Sequence, residues 1–189
     1  ILSNPEVLYF DFPYEADPKE HGYYWASRGL NSKHIFSFMP GNLPANAEQW
    51  LDIEGNPFEA DDRPQVDDNG QQTSGPIVAG KTFDGIQGQL WSETLRSDQT
   101  VEYMIYPRLL MLAERAWHKP EWEVPYQHDG AVYNQSTQHF TAPMRQQQAS
   151  EWQKMANHLG HKELAKLDKP HQEYKLIYES WFSAFDKAS

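Results

Sequence analysis

Two strand-like runs constrain this chain more than any other feature. The first is Val7-Leu8-Tyr9-Phe10-Asp11-Phe12, with Pro5 before it and Pro13 after it. Proline on both flanks is a strand-boundary signal. The second runs from Phe83 to Glu93 and is followed by a helical pattern from Ser97 or Asp98 to about His118. Within that pattern Val101, Met104, Ile105, Leu109, Leu112 and Trp117 form an apolar stripe, and Pro107 predicts a kink. Strand, long connection, strand, helix fits an α/β unit better than a sandwich. Two strands alone leave hydrogen-bonding edges open, a liability in water.

Around these runs the chain is less regular. Asp17 and Pro18 predict the N-cap and first turn of a short helix ending before Gly29. His34 to Met39 predicts another short element. The stretch Pro40 to Lys81 is rich in Pro, Gly, Asp and Asn, with a short helix expected near Ala45 to Leu51. Loops this long are uncommon in compact domains and are often functional. Glu121 to Thr141 reads as irregular. Trp152, Met155, Ala156 and Leu159 then share one helical face, as do Tyr174, Ile177, Tyr178, Trp181, Phe182 and Phe185.

Composition narrows the function. A net charge of −11 over 189 residues argues against nucleic-acid binding, which needs Lys and Arg clusters. A neutral ligand such as a sugar is compatible with it. The chain has no cysteine, which excludes disulfides and thiolate metal sites. No apolar run approaches the ~20 residues of a membrane span. The start, Ile1 rather than Met, fits a piece of something longer. Pro5, Glu6 and Asp11 break any signal-peptide pattern there.

Both strand runs carry an aromatic, one residue, then an acid: Tyr9-Phe10-Asp11 and Trp91-Ser92-Glu93. Strand side chains alternate, so each aromatic projects with its acid. An aromatic face can stack on a sugar ring while the carboxylate accepts hydrogen bonds from hydroxyls. The same pattern also fits core aromatics beside surface acids, and the residues alone leave both readings open.

Several motifs together carry a resemblance. Ser3-Asn4-Pro5 through Tyr9-Phe10-Asp11, then Gly22-Tyr23-Tyr24-Trp25-Ala26, resembles the seventh-strand region of glycoside hydrolase family 20, in its bacterial chitobiase branch. Gly85-Ile86-Gln87-Gly88 through Trp91-Ser92-Glu93 resembles the eighth strand. Pro107-Arg108-Leu109-Leu110 and Leu112-Ala113-Glu114-Arg115-Ala116-Trp117 resemble the closing helix. The resemblance implies the last two βα units of a (β/α)8 TIM barrel in residues 1–120, with a helical extension over 121–189.

It also implies an exo-β-N-acetylhexosaminidase that removes terminal N-acetylglucosamine from chitin oligosaccharides. Catalysis would be retaining, with the substrate's acetamide oxygen as the attacking group, a stated exception to the two-carboxylate scheme. Tyr9 would hold that acetamide. Asp11 would bind the 6-hydroxyl, Glu93 the 4-hydroxyl, Trp91 would stack under the ring, and Trp25 would stack on the next sugar. No cofactor or metal is implied. The implied partners are N-acetylglucosamine-containing oligosaccharides and the remainder of the barrel. Bacterial relatives commonly act in the periplasm or outside the cell.

One departure is large. The family's general acid is the Glu of an adjacent Asp-Glu pair on the fourth strand, and no such pair occurs in this sequence. Three readings follow: part of a hexosaminidase, inactive by itself; a sugar-binding or interaction module without catalysis; or another glycosidase in which Asp11 and Glu93 do the acid–base work. The pairs Asp61-Asp62 and Asp67-Asp68 read as a solvated acidic loop. His158 and His161, three apart with no third ligand evident, read as surface histidines.

Overall fold

The computed structural model describes residues 1–25, 27, 29–61, 65–74, 83–127 and 130–166. The aromatic pattern from Tyr174 to Phe185 lies outside them.

The two runs lie side by side and parallel, but neither is a continuous strand. Leu2 bridges Ile86 and Tyr9 bridges Gln89. Backbone bonds flank each bridge: Leu2 N–H to Gly85 O at 2.8 Å, Gln87 N–H to Leu2 O at 2.9 Å, and Phe10 N–H to Gln89 O at 2.6 Å. The first run therefore spends more residues than the second between the same two bridges. The excess is taken up by a helical turn, α1 (Pro5–Leu8). Asn4 caps it by accepting from Glu6 N–H, and Pro5 stands in the first turn. This corrects the expected strand through Val7 and Leu8. A short, continuously apolar run has no period that separates strand from buried helix, and the cap decides.

The expected helix at Asp17 is a turn: Asp17 accepts from Lys19 N–H at 2.9 Å through its side chain and from Glu20 N–H at 3.0 Å through its carbonyl. Helix α2 (Ser32–Ser37) follows, capped by Asn31. A 3-10 turn spans Pro44–Glu48. The long connection also carries β1 (Glu59–Asp61), β2 (Gln65–Val66) and β3 (Gln72–Ser74). β2 and β3 pair antiparallel across a turn in which Asp67 accepts from Asn69 N–H and Gln71 N–H. That acid is spent on its own backbone.

The single long helix is two. Ser97 caps α3 (Asp98–Ile105), and α4 (Arg108–Trp117) starts after Pro107. Proline offers no N–H and clashes with the preceding turn, so the pattern breaks there rather than kinks. The stretch expected to be irregular contains β4 (Val132–Asn134), antiparallel to β1. Helix α5 (Ala142–His158) buries Trp152 and Ala156 as its spacing predicts. A π turn (Leu159–Glu163) and α6 (Leu164–Lys166) complete the described chain. His158 contacts Glu163 at 3.0 Å.

One core joins these pieces. Phe10, Phe12, Phe36, Phe38, Met39, Met111 and Trp122 pack together, with Trp152 and Leu159 from the C-terminal helices. Glu48 staples the long connection to it. Its buried carboxylate accepts from Thr137 Oγ1 at 2.7 Å, Phe140 N–H at 2.8 Å and His139 N–H at 3.1 Å. Burial alone would raise the Glu48 pKa, but these hydrogen bonds outweigh it and leave it lowered.

Glu6, in α1, shows the opposite balance. Burial, then the nearby Asp52 charge, raises its pKa to about 7. Its folded-state pKa lies above its unfolded value, so folding favours the protonated acid. Stability is lost as pH rises from the ordinary carboxylate range through about 7. Glu6→Gln is expected to leave the urea midpoint unchanged near the low end of that window and to raise it above the high end. An equal shift at both ends would show that ionisation is not the cause.

Candidate functional site

The parallel bridge at Tyr9 and Gln89 sets the site. Two residues beyond Gln89 comes Trp91, whose ring lies 5.9 Å from that of Tyr9 at 64°. The bridge thus brings together the aromatics of the two motifs. Behind Trp91, Gly88 is packed so tightly that an added Cβ would stand 2.7 Å from Leu112 Cδ1 and 3.0 Å from Phe10 Cζ. Glycine there lets the second run lie against Phe10 and α4.

A third ring arrives on the loop after Glu20. Gly22 has φ +117°, and a Cβ on it would fall 2.4 Å from the carbonyl oxygen of Asp11. The loop backbone therefore lies against the backbone of residues 11–13, and Tyr23 N–H donates to Asp11 O at 3.0 Å. This places Trp25 5.5 Å from the Tyr9 ring and 5.0 Å from Phe12. Trp25 Nε1–H donates to Asp11 Oδ2 at 3.1 Å.

Asp11 is 4% exposed, and its Oδ1 is buried without a hydrogen-bond partner among the described residues. Unpaired buried carboxylate oxygens are costly and usually have a reason. Trp25 and Trp91 remain about half exposed, at 51% and 46%. The structure therefore assembles Tyr9, Asp11, Trp25 and Trp91. Glu93 stands apart: it is exposed in a turn, and among the described residues no hydrogen bond or ring contact joins it to the other four.

The supporting residues were harder to see in the sequence. Arg108, at the start of α4, is fully buried; Nη1 donates to Phe10 O at 2.7 Å, and its guanidinium carbon lies 3.5 Å from the centre of the Tyr14 ring. Burial lowers its pKa, while Tyr14, Tyr103, Glu20 and Asp11 oppose that. Tyr14 in turn donates to Tyr103 O at 2.9 Å or Tyr106 O at 2.6 Å. In the sequence Arg108 stands within the motif Pro107-Arg108-Leu109-Leu110, which by itself assigns it no partner.

A cavity of about 720 Å³ lies elsewhere, lined by residues that include His34, Glu48, Trp50 and Arg145 and by none of the five expected site residues. The aromatic group forms an open face, not an enclosed pocket.

Gly22→Ala tests the assembly. The new Cβ meets backbone, which cannot swing away, and a left-handed φ on a non-glycine residue costs about 1–3 kcal/mol. We expect stability to fall by that order in a urea titration and the amides of residues 22–25 to exchange faster. Unchanged exchange there would mean that the loop does not depend on this close approach.

The comparisons with known proteins bear on the family of the chain. Residues 1–120 match the family model described as glycosyl hydrolase family 20, catalytic domain. The chain is 49% identical over 160 residues to the β-hexosaminidase B of Pseudoalteromonas piscicida, covering 85% of this chain and 19% of that protein. It is 43% identical over 176 residues to the N,N'-diacetylchitobiase of Vibrio harveyi, covering 93% and 18% respectively. The chain thus spans about one fifth of the length of these relatives. A family 20 β-N-acetylglucosaminidase structure overlaps 63% of the chain and 18% of its own, at 27% identity and a TM-score of 0.39. That score is too low to bear on the barrel geometry. By the match of its first 120 residues, the chain belongs to glycoside hydrolase family 20.

Proposed function

We propose that this chain supplies one wall of the sugar site of an exo-acting β-N-acetylhexosaminidase, as the last two βα units of a (β/α)8 barrel. One observation carries the reading. Three rings, from Tyr9, Trp25 and Trp91, meet around a buried carboxylate, Asp11, that has an unpartnered oxygen. Apolar faces beside an unsatisfied acceptor suit a sugar, with C–H faces for the rings and hydroxyls for the acid. The family membership and the names of the relatives support the substrate class.

The terminal N-acetylglucosamine rests on Trp91, and Trp25 contacts the sugar on the leaving side. Asp11 accepts a hydrogen bond from the 6-hydroxyl. Its Oδ1 is buried and is the acceptor left open for that hydroxyl. Glu93 takes the 4-hydroxyl, which requires its turn to close toward Trp91. Tyr9 O–H donates to the acetamide carbonyl and points that oxygen at the anomeric carbon. A carbon–oxygen bond then forms as the glycosidic bond breaks, and water later opens the cyclic intermediate. The oxygen loses electron density as it attacks, so Tyr9 contributes by position, where ~1 Å of misplacement can cost about 10²-fold.

Protonation of the leaving oxygen needs an acid that this chain does not carry, since no adjacent Asp-Glu pair occurs in it. A general acid contributes typically ~10²–10⁴-fold. The chain by itself is expected to release no nitrophenol from an aryl β-N-acetylglucosaminide. Robust turnover by the pure chain would refute this reading and favour Asp11 and Glu93 as the acid–base pair.

In the complete catalytic domain, Tyr9→Phe is expected to lower kcat by about 10²-fold with a much smaller change in Kd for a nonreactive analogue. Trp91→Ala should weaken that analogue clearly. If Tyr9→Phe weakened binding and left kcat intact, the acetamide role would have to be dropped.

A further inference from the structure

The loop that delivers Trp25 has two kinds of attachment. Its C-terminal half is fixed to the first run through the close approach of Gly22, the bond from Tyr23 N–H to Asp11 O, and the bond from Trp25 Nε1 to Asp11 Oδ2. These bonds all end on Asp11 or its neighbours. Its N-terminal half is held from another side. The Tyr103 hydroxyl, on α3, lies 2.8 and 3.0 Å from the two carboxylate oxygens of Glu20. The His21 ring meets the edge of the Tyr103 ring at 5.7 Å.

We infer that the Glu20–Tyr103 hydrogen bond is a latch that holds the Trp25 loop in register over Asp11, which makes Tyr103 and Glu20 positioning residues for that ring. The donor is rigid. Tyr103 is 5% exposed, its ring is in edge contact with Tyr14 at 5.2 Å, and its carbonyl accepts from Tyr14 O–H. Burial first, and the Glu20 carboxylate second, push the phenol well above the ordinary tyrosine range, so it remains a donor. The acceptor is placed by a turn, because Glu20 N–H donates to Asp17 O at 3.0 Å. A rigid donor and a charged acceptor on a loop give a bond that can open without unfolding the core. Gly22, two residues on, is the point where that opening would reach the Asp11 contacts.

The latch has a consequence for specificity, and this part rests on the proposed sugar site. Trp25 faces the second sugar and Trp91 the first. Loosening the loop should therefore weaken a disaccharide more than a monosaccharide. A merely structural role for Tyr103 would not separate the two ligands.

The test uses the whole chain and its Tyr103→Phe, Glu20→Ala and Glu20→Gln variants. Amide hydrogen exchange is followed for residues 20–25 and, as an internal reference, for α5. N-acetylglucosamine and a nonhydrolysable thio-linked disaccharide of N-acetylglucosamine are titrated separately against the complete catalytic domain carrying the same substitutions. Losing a hydrogen bond to a charged group should speed exchange of the loop by about 10- to 100-fold, with the reference unchanged. Glu20→Gln, which keeps an acceptor oxygen, should recover most of the protection. The Kd for the disaccharide should rise severalfold in Tyr103→Phe and Glu20→Ala while that for the monosaccharide holds.

Unchanged loop exchange in both Tyr103→Phe and Glu20→Ala would overturn the latch. So would a rise shared equally with α5, which would make Tyr103 an ordinary core residue. Equal weakening of both sugars would overturn the link to Trp25. If the loop loosens as expected while the complete catalytic domain binds neither sugar, the latch stands and the proposed sugar site falls.

Discussion

A buried guanidinium holds the site together. Arg108 donates to the carbonyl of Phe10, between Tyr9 and Asp11, and lies over the ring of Tyr14. Burying a charge is costly unless other groups compensate. Here the compensation is partial: Nη1 has the carbonyl, the ring face of Tyr14 lies against the group, and Tyr14, Tyr103, Glu20 and Asp11 oppose the lowering of its pKa, while Nε and Nη2 are buried without a hydrogen-bond partner among the described residues. The first run, the start of α4, and Tyr103 and Tyr106 flanking the end of α3 thus meet at one cation. Tyr9 and Asp11 project from the segment it holds.

The assembled site is stable on one side and unsatisfied on the other. Toward the core, Phe10 and Phe12 are buried with Met111 and Phe36, and Gly88 lets Leu112 close on Phe10. Outward, Trp25 and Trp91 keep about half of their surface in water, and next to Trp25, Asp11 keeps a buried oxygen without a partner among the described residues. Exposed rings grouped around an unpaired acceptor are a poor arrangement for stability and a good one for a ligand with both apolar faces and hydroxyls. On the outer side of α4, Leu109 and the 91% exposed Trp117 are apolar surface of the same unsatisfied kind.

Local features of the site were legible where a short motif states its own chemistry. The aromatic-x-acid pairs put Tyr9 beside Asp11 and Trp91 near Glu93, and the structure does unite Tyr9, Asp11, Trp25 and Trp91. Glu93 is the exception: both runs turn just past their bridges, at Asp11 and at Glu93, and of the two acids it is Asp11 that is tied to the site, by Trp25 Nε1–H. Ser97 read correctly as a cap since its hydroxyl accepts from Thr100 N–H, a bond within four residues. Asp17 misled because the same side chain caps a turn as readily as a helix.

The sequence by itself determined what each segment prefers locally: the helix start at Ser97 or Asp98, an interruption at Pro107, the apolar face of α5, and the family motifs. Tertiary structure alone decided what depends on distant partners. Examples are the helical turn between two parallel bridges, the β1–β4 pair that ties the long connection to residues 132–134, and the Glu48 staple to residues 137–140. Arg108 over Tyr14 and Glu20 against Tyr103 belong with them. A hydrogen bond inside one turn is encoded in neighbouring residues. One between residues 83 positions apart, such as Glu20 and Tyr103, exists only after the intervening chain has packed and excluded the water that would otherwise satisfy both groups.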